Sequence, residues 1–261
     1  MATRARTPAT LTAYVLHHYD WSETSLILDL FTREQGRLAI AAKGAKRPTS
    51  QLRSVLLPFQ RIHVALGRVP KVGADYEPLG EVQTLRSAEW AGGAAMLTGA
   101  ALFSGFYLNE LLMRLMARHD PHPALFDVYA QTLPTLAARD DSQVQAALRA
   151  FEISVLKEVG VLPDLSLVTL TLEELRDTGR YALLPEAGVA AARSGDTDIA
   201  GRTLIELQAA LEHGSVPALQ QACASALPEL KAMLRGLLHY HLGSPVLRTR
   251  QVMLDVQALE R

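Results

Sequence analysis

The chain has 261 residues, of which 49% are apolar and 20% charged, so it is long enough for two domains and too apolar to be disordered. Its net charge is −1, but residues 1–73 carry 11 Lys/Arg and 4 Asp/Glu, a net charge of +7, and the remainder carries −8. This asymmetry predicts a polyanionic partner for the first segment only, and no apolar run is long enough to span a membrane.

The first third of the chain has the pattern of short β-strands separated by polar, glycine-containing loops. Strands are predicted at residues 11–18, 25–32, 37–42, 56–66 and 82–85, with a turn at 20–23 and basic loops at 44–50 and 67–73. Four or five such strands predict a small β-barrel or sandwich, which we assign to a first domain at residues 1–80.

From about residue 87 onward, the apolar residues follow a helical period. Helices are predicted at residues 91–117, 124–138, 143–159, 203–212, 216–226, 228–242 and 246–259, the third of them capped by residues 140–142. Residues 161–200 contain several prolines and glycines and one short predicted helix, at 171–178. The sequence predicts an α+β multidomain protein, with an all-α domain at residues 81–261 that contains an irregular insertion at about 161–200.

A basic cluster is the sharpest local feature of the chain. Its six members fall within 21 residues and are Arg33, Arg37, Lys43, Lys46, Arg47 and Arg53. They lie at predicted strand ends and on the loop 44–50, and cations on one face of a barrel attract phosphates by releasing counterions. A solvated basic face without a ligand is the alternative, and we favour phosphate contact because the positive charge is so one-sided.

Four aromatic residues lie near this cluster in sequence, namely Tyr14, Trp21, Phe31 and Phe59. Aromatic faces can stack on unpaired bases, but large aromatic side chains more often fill a core. We therefore favour core positions for these aromatic residues.

The sequence gives no positive indication of catalysis or of a metal site. It has no Walker A or G-x-S-x-G segment, and we expect the histidines at 17–18, 119–122 and 239–241 to be satisfied or solvent-facing. Its one cysteine, Cys223, excludes an internal disulfide, is expected to be buried and fits a reducing cytoplasm. Residues 1–12 lack the apolar segment of a signal peptide, so we expect none.

Segments spread in order along the chain resemble one known family. In the first domain they are residues 14–16, 21–25, 30–32, 36–37, 42–47 and 57–59, with the strings E-T-S, A-K-G-A and L-P-F. In the second they are residues 84–89, 107–111 with Y-L-N-E-L, 125–129, 149–152, 160, 234–243 and 247–250. Together they are similar to RecO, the family of bacterial recombination mediators.

This resemblance implies an OB-fold first domain, a helical body and a cytoplasmic, nucleoid-associated protein. Family members bind single- and double-stranded DNA, anneal complementary strands coated by single-strand-binding protein (SSB) and, with RecR, promote loading of RecA in the RecF pathway. They also bind the acidic C-terminal tail of SSB on the helical body. For that tail the candidates here are Arg114, Arg118 and Arg149, with ordinary surface arginines as the alternative.

One departure from the family concerns zinc. Many members carry a four-cysteine site after the segment that matches residues 149–160, whereas residues 163–181 contain no cysteine here. No zinc role is carried over, and no cofactor is expected. We expect this segment to be held by the packing of Leu165, Leu167, Leu170, Leu172 and Leu175. Two other functions stay open: an OB-fold RNA-binding or translation-associated factor, and an enzyme built from the scattered histidines.

Overall fold

The structure is a computed structural model that describes residues 10–67, 82–93, 96–243, 247–249, 251, 252 and 255. The chain divides into two compact units, one formed by residues 1–96 and 116–126 and the other by residues 97–115 and 127–261. Most of the predicted helix at 246–259 and most of the predicted basic loop at 67–73 lie outside the described residues. Of that helix, residues 248, 249, 251, 252 and 255 are described and are helical.

The first unit is built on a closed five-stranded barrel. Its strands are β1 (Thr10–Asp20), β2 (Leu26–Thr32), β3 (Gly36–Ala42), β4 (Arg61–Leu66) and β5 (Val82–Trp90). They follow one another around the barrel in the order β1-β2-β3-β5-β4, and β4 pairs with β1 to close it. All neighbours are antiparallel except β3 and β5. This is an OB-like barrel, so the predicted fold of the first domain is confirmed.

The barrel core follows from the alternation of apolar side chains along the strands. Leu28 and Leu30 of β2 and Leu38 and Ile40 of β3 are fully buried in it, two residues apart on each strand as strand geometry requires. A register shift after Val15 marks a bulge in β1 that bends the strand and helps it pair with both β2 and β4.

Three element boundaries differ from the sequence prediction by five or more residues. The run predicted as one strand at 56–66 contains only β4, because a short helix, α1 (Leu52–Val55), precedes it and Phe59 adopts a left-handed φ of +67°. The last strand continues beyond the predicted end to Trp90. The helix predicted to begin at residue 91 starts only at Gly99, since Gly92 and Gly93 have φ of +80° and +69°.

Helices form most of the remaining described chain. They are α2 (Gly99–Leu115), α3 (Pro123–Leu136), α4 (Asp141–Glu158), α5 (Gly201–His213), α6 (Val216–Ala224) and α7 (Leu227–Leu242). Asp140 caps α4 by accepting from the Ser142 amide N–H at 2.9 Å, as predicted. The helical unit buries Leu108, Phe151 and Cys223 completely. None of the described helices is long and apolar enough to cross a membrane.

The insertion between α4 and α5 is more regular than the sequence predicts. It contains a small antiparallel sheet of β6 (Arg180–Leu184), β7 (Gly188–Ala191) and β8 (Ile199–Ala200). The helix predicted at 171–178 is wrong, because those residues form turns and an isolated bridge.

Of the five insertion leucines predicted to pack, two are buried, two are exposed and Leu167 is half-buried. Leu165 and Leu175 are buried as predicted. The same prediction is wrong for Leu170 and Leu172, which are 79% and 72% exposed. Both lie on a tight loop in which Leu172 has a φ of +59° and its amide N–H donates to the carbonyl oxygen of Val168, so the alternation of a strand is lost there.

Candidate nucleic-acid interface

A loop that leaves the end of β3 carries three of the six predicted DNA-binding cations. Ala45 is 1% exposed and belongs to the barrel core, so it anchors this loop while its neighbours face solvent. Gly44 has a φ of +72°, which glycine adopts without strain, and it reverses the chain just before the anchor. Lys43 and Arg47 are exposed on either side, and Arg53 is exposed on α1.

The loop is fastened to the turn between β1 and β2. The amide N–H of Lys46 donates to the carbonyl oxygen of Thr24 at 2.9 Å. The ammonium Nζ of Lys46 lies 3.1 Å from Asp20 Oδ1 and donates to the carbonyl oxygen of Ser22 at 3.4 Å. Residues 20–25 and 43–53 therefore form one surface, here called the basic end of the barrel.

The positive charge of this basic end is only partly neutralised by the protein. Lys46 shares its charge with Asp20, whereas Lys43, Arg47 and Arg53 make no ion pair with any residue that the structure describes. Exposed cations without a protein partner are free to exchange bulk counterions for phosphates. This arrangement of cations can bind a polyanion through electrostatic contacts alone.

The other two cations of the sequence cluster lie elsewhere. Arg33 is exposed in the turn between β2 and β3, at the opposite end of β3 and so roughly 20 Å of strand from Lys43. Arg37 is 8% exposed, and its guanidinium donates twice to Asp29, at 2.7 and 3.2 Å, and once to the Met116 carbonyl at 2.8 Å. A DNA-binding role for Arg33 and Arg37 stays a prediction. Neither side chain lies at the basic end of the barrel, so the grouping of cations there does not support it.

The four aromatic residues near the cluster fall into two groups. Tyr14, Phe31 and Phe59 are at most 3% exposed, which confirms the prediction that they are core residues. Tyr14 and Phe31 pack on Phe126 with ring centroids 5.2 and 5.4 Å apart. The prediction is wrong for Trp21, which is 56% exposed at the basic end. Its position in the predicted turn at 20–23 was the sequence feature that pointed to exposure.

The helical unit contains a pocket of about 290 Å³ between α2, α4, α7 and residues 247–249. Its apolar walls include Phe103, Leu148, Leu238 and Leu247. Three cations also line it, and these are Arg149, Lys231 and Arg235. A concave apolar site with a few convergent charges suits an acidic ligand that also carries an apolar group.

A buried polar cluster forms one side of this pocket. Glu152 Oε1 accepts from Arg149 Nη2 and from the Tyr107 hydroxyl, both at 2.6 Å. Burial raises the pKa of Glu152 despite the opposing charge of Arg149, and burial together with the nearby carboxylate raises the pKa of Tyr107. Arg149 Nε and Glu152 Oε2 have no hydrogen-bond partner among the described residues, so the cluster holds an unused donor beside the pocket.

Of the three arginines predicted for the SSB tail, only Arg149 lines this pocket. Arg114 lies 3.4 Å from Glu110, whose carboxylate also accepts from the backbone N–H groups of Arg248 and Thr249. Arg118 belongs to the other unit, with Nη2 3.8 Å from Asp29 Oδ2. The contribution of Arg114 and Arg118 to tail binding stays a prediction.

Lys231 and Arg235 are the pocket cations that sequence reasoning missed. They stand four residues apart on α7, so they share one face of that helix, and Leu238 follows on the same face. A lysine, an arginine and a leucine at this spacing were the available signal, but the pattern alone could not tell a pocket wall from an ordinary solvated face.

The described residues include no group of three or more His, Cys, Asp or Glu side chains placed to hold a metal ion. His122 Nε2 instead lies 3.1 Å from Asp120 Oδ2. Cys223 is fully buried as predicted, and burial raises the pKa of its thiol to about 12.

A closed OB-like barrel with cationic loops at one end, joined to a helical unit with an insertion, defines a class of protein: barrel-based binding proteins with an accessory helical body. Comparison with known proteins narrows this class to one family. Residues 7–88 match the family model described as Recombination protein O N terminal, and residues 96–251 match Recombination protein O C terminal.

Full-length relatives agree with the two family models. The DNA repair protein RecO of Polaromonas sp. (strain JS666 / ATCC BAA-500) is 51% identical over 249 residues, which cover 95% of this chain and 96% of that protein. The DNA repair protein RecO of Acidovorax ebreus (strain TPSY) is 48% identical over 266 residues, covering 98% and 99%. The chain belongs to the recombination protein O family, a family of DNA repair proteins, and the resemblance seen in the sequence is confirmed.

Proposed function

We propose that this protein is a DNA repair and homologous recombination mediator. It binds single- and double-stranded DNA, anneals complementary strands coated by SSB and, with RecR, promotes loading of RecA in the RecF pathway. It acts by holding strands and partners, with no bond chemistry and no cofactor of its own. The observation that carries the proposal is the basic end of the barrel, where four cations of a closed OB-like barrel share one surface.

Charge reversal tests the DNA-binding step. The triple variant Lys43→Glu, Lys46→Glu, Arg47→Glu should lose most affinity for an oligothymidylate. Each phosphate contact to a single strand contributes about −0.7 to the slope of log K against log salt, so losing three contacts should flatten that slope by about 2. Fluorescence anisotropy across a salt series gives both quantities.

A second triple variant separates local contact from net charge. Arg139, Arg193 and Arg202 are exposed in the helical unit, and reversing all three changes the net charge by the same amount. The slope for this variant should stay close to that of the wild-type protein. Equal losses for both triple variants would show that long-range attraction alone is measured, and an unchanged slope in the first variant would refute the proposed interface.

The pocket of the helical unit supports the partner half of the proposal. The tail of SSB is acidic and apolar, and the pocket offers apolar walls edged by Arg149, Lys231 and Arg235. Titration of a tail peptide should show tenfold or greater weakening for Arg235→Ala, because charge-assisted hydrogen bonds contribute about 1.5–3 kcal/mol. Lys231→Ala should weaken binding in the same direction.

Arg114→Ala is the matched comparison, since this side chain lies on the pocket-forming helix α2 but outside the lining. Binding close to that of the wild-type protein is expected. An equal loss for Arg114→Ala and Arg235→Ala would move the site toward the arginines that the sequence predicts, and wild-type affinity in Lys231→Ala and Arg235→Ala would exclude this pocket.

The mediator activity itself is tested by annealing. Complementary strands coated with SSB should pair faster with the protein, with and without RecR, and the Lys43, Lys46, Arg47 variant should lose this acceleration. Nuclease protection or RecA filament assays with RecR then test loading. Tighter binding to RNA than to DNA of the same sequence would favour the alternative of an RNA-binding factor.

A further inference from the structure

Trp21 is an unusual surface residue. Its side chain is 56% exposed, although a tryptophan offers more apolar area for burial than almost any other residue. Its backbone is well fixed, since its amide N–H donates to the carbonyl oxygen of Ser25 at 3.2 Å within the turn between β1 and β2. No ring stacks on it among the residues that the structure describes. A hydrogen-bonded turn therefore presents the exposed indole to solvent.

The residues that flank this indole contact a cation of the basic end. The Lys46 ammonium lies 3.1 Å from Asp20 Oδ1 and 3.4 Å from the Ser22 carbonyl oxygen. Asp20 and Ser22 are the two residues that flank Trp21 in the sequence. A base lying on the indole would bring its own backbone phosphates beside Lys46 and the neighbouring exposed Lys43 and Arg47. Paired aromatic and cationic groups of this kind are what single-strand binding surfaces combine.

We propose that Trp21 is a stacking platform for an unpaired base and sets the preference of the basic end for single-stranded over double-stranded DNA. This inference rests on the proposed DNA-binding function and deepens it. The cations contact phosphates, which both forms of DNA carry, so they cannot separate the two. A duplex already stacks its bases on one another and offers the indole no free base face.

Substitution of Trp21 in the full-length protein tests this inference. Trp21→Ala should weaken binding to an oligothymidylate by about five- to 150-fold, the range for losing one base stack. Affinity for a blunt duplex of the same length should change less than about twofold, and Trp21→Phe should restore most of the single-strand affinity. The salt slope should stay the same in Trp21→Ala, because no phosphate contact is removed.

The chain provides its own control in Trp90, which is 60% exposed on β5. Trp90 pairs with Ile62 and through it with Ala13 of β1, whereas Trp21 follows the other end of that strand, roughly 25 Å further along. Trp90→Ala should leave both affinities unchanged. In a Trp90→Phe background Trp21 is the one remaining tryptophan, and an oligothymidylate should quench its fluorescence.

The outcomes separate this inference from the proposed function. If Trp21→Ala binds both forms of DNA like the wild-type protein, or loses both equally, the stacking role is overturned even though the cation variant still fails to bind. Absence of quenching in the Trp90→Phe background overturns it as well. If the wild-type protein binds neither form, the proposed function itself fails.

Discussion

The buried ion pair between Arg37 and Asp29 gives the most direct quantitative prediction for the barrel. The two side chains are 9% and 3% exposed, and two hydrogen bonds join them. Removing one partner of a buried pair leaves the other charged and desolvated, at a cost of about 3–5 kcal/mol. Arg118 Nη2 stays 3.8 Å from Asp29 and is itself half-exposed, so it offsets part of this cost. Arg37→Leu should therefore destabilise the protein by about 3 kcal/mol.

The double variant Arg37→Leu, Asp29→Leu should lose less stability than the sum of the losses in the two single variants. Replacing both charges by apolar groups removes the desolvation penalty, and such swaps are often close to neutral. One cost stays, because the Met116 carbonyl loses its hydrogen bond from Arg37, which is worth about 1 kcal/mol. A double-mutant cycle should accordingly show a coupling energy of several kcal/mol.

Urea unfolding followed by tryptophan fluorescence measures these energies, since Trp21 and Trp90 both belong to the barrel unit. Arg53→Leu is the matched control: Arg53 is exposed and makes no ion pair with any described residue, so its loss should cost less than about 0.5 kcal/mol. A cost under 1 kcal/mol for Arg37→Leu, or single costs that simply add in the double variant, would rule out a coupled buried ion pair. A salt slope for DNA binding that falls in folded Arg37→Leu would restore Arg37 to the interface.

Three further predictions concern single residues. Hydrogen bonds from Thr249 and Arg248 outweigh burial and lower the pKa of Glu110 below its ordinary value of 4.5, so its contribution to stability is present above about pH 4.5 and is lost as the pH falls through the lowered pKa. Glu110→Gln should thus lower stability at pH 7, measured by urea unfolding, and reduce the further loss in acid. At a fixed pH below 9, a rise in the Cys223 pKa from 9.0 to about 12 cuts the thiolate fraction roughly a thousandfold, and a thiol reagent should modify the folded protein at least that much more slowly than the unfolded one. Gly36→Ala should lower the melting temperature more than Gly214→Ala: both have a left-handed φ, but only at Gly36 would the new Cβ lie 1.9 Å from the Asp120 carbonyl oxygen.

The sequence predicted well where local pattern decides the structure. Alternating apolar residues placed β2 and β3, and the glycine and proline of the loop at 44–50 placed an exposed basic segment after β3. The sequence predicts Asp140 as a helix cap, because an aspartate just before a helical run commonly accepts a hydrogen bond from a backbone N–H of the first turn. In each case the residues that decide the conformation lie within a few positions of one another.

Contacts between distant segments account for the differences. Arg37 looks like a surface cation in sequence, but residues about 80 positions away cover it and supply the Met116 carbonyl. Leu170 and Leu172 keep the spacing of packed leucines, yet a left-handed residue turns their loop outward. Lys231 and Arg235 gain meaning only when α2, α4 and residues 247–249 complete a pocket beside α7.

The proposed function places two separate binding sites on one chain, and together these would give the protein selectivity for SSB-coated DNA. Phosphate contacts at the basic end do not distinguish a coated strand from a naked one, so they cannot by themselves direct the protein to SSB-coated DNA. When two sites on one chain bind the same coated strand, the second binding step is intramolecular. The overall affinity can then exceed that of either site alone by about 10²–10⁴-fold. Under the proposed function, Arg235→Ala should therefore weaken binding to coated DNA and leave naked DNA unaffected, whereas reversal of Lys43, Lys46 and Arg47 should weaken both. The affinities of both variants for coated and for naked DNA test this. Equal effects of Arg235→Ala on the two forms would contradict the assignment of tail binding to the helical unit and DNA binding to the barrel unit.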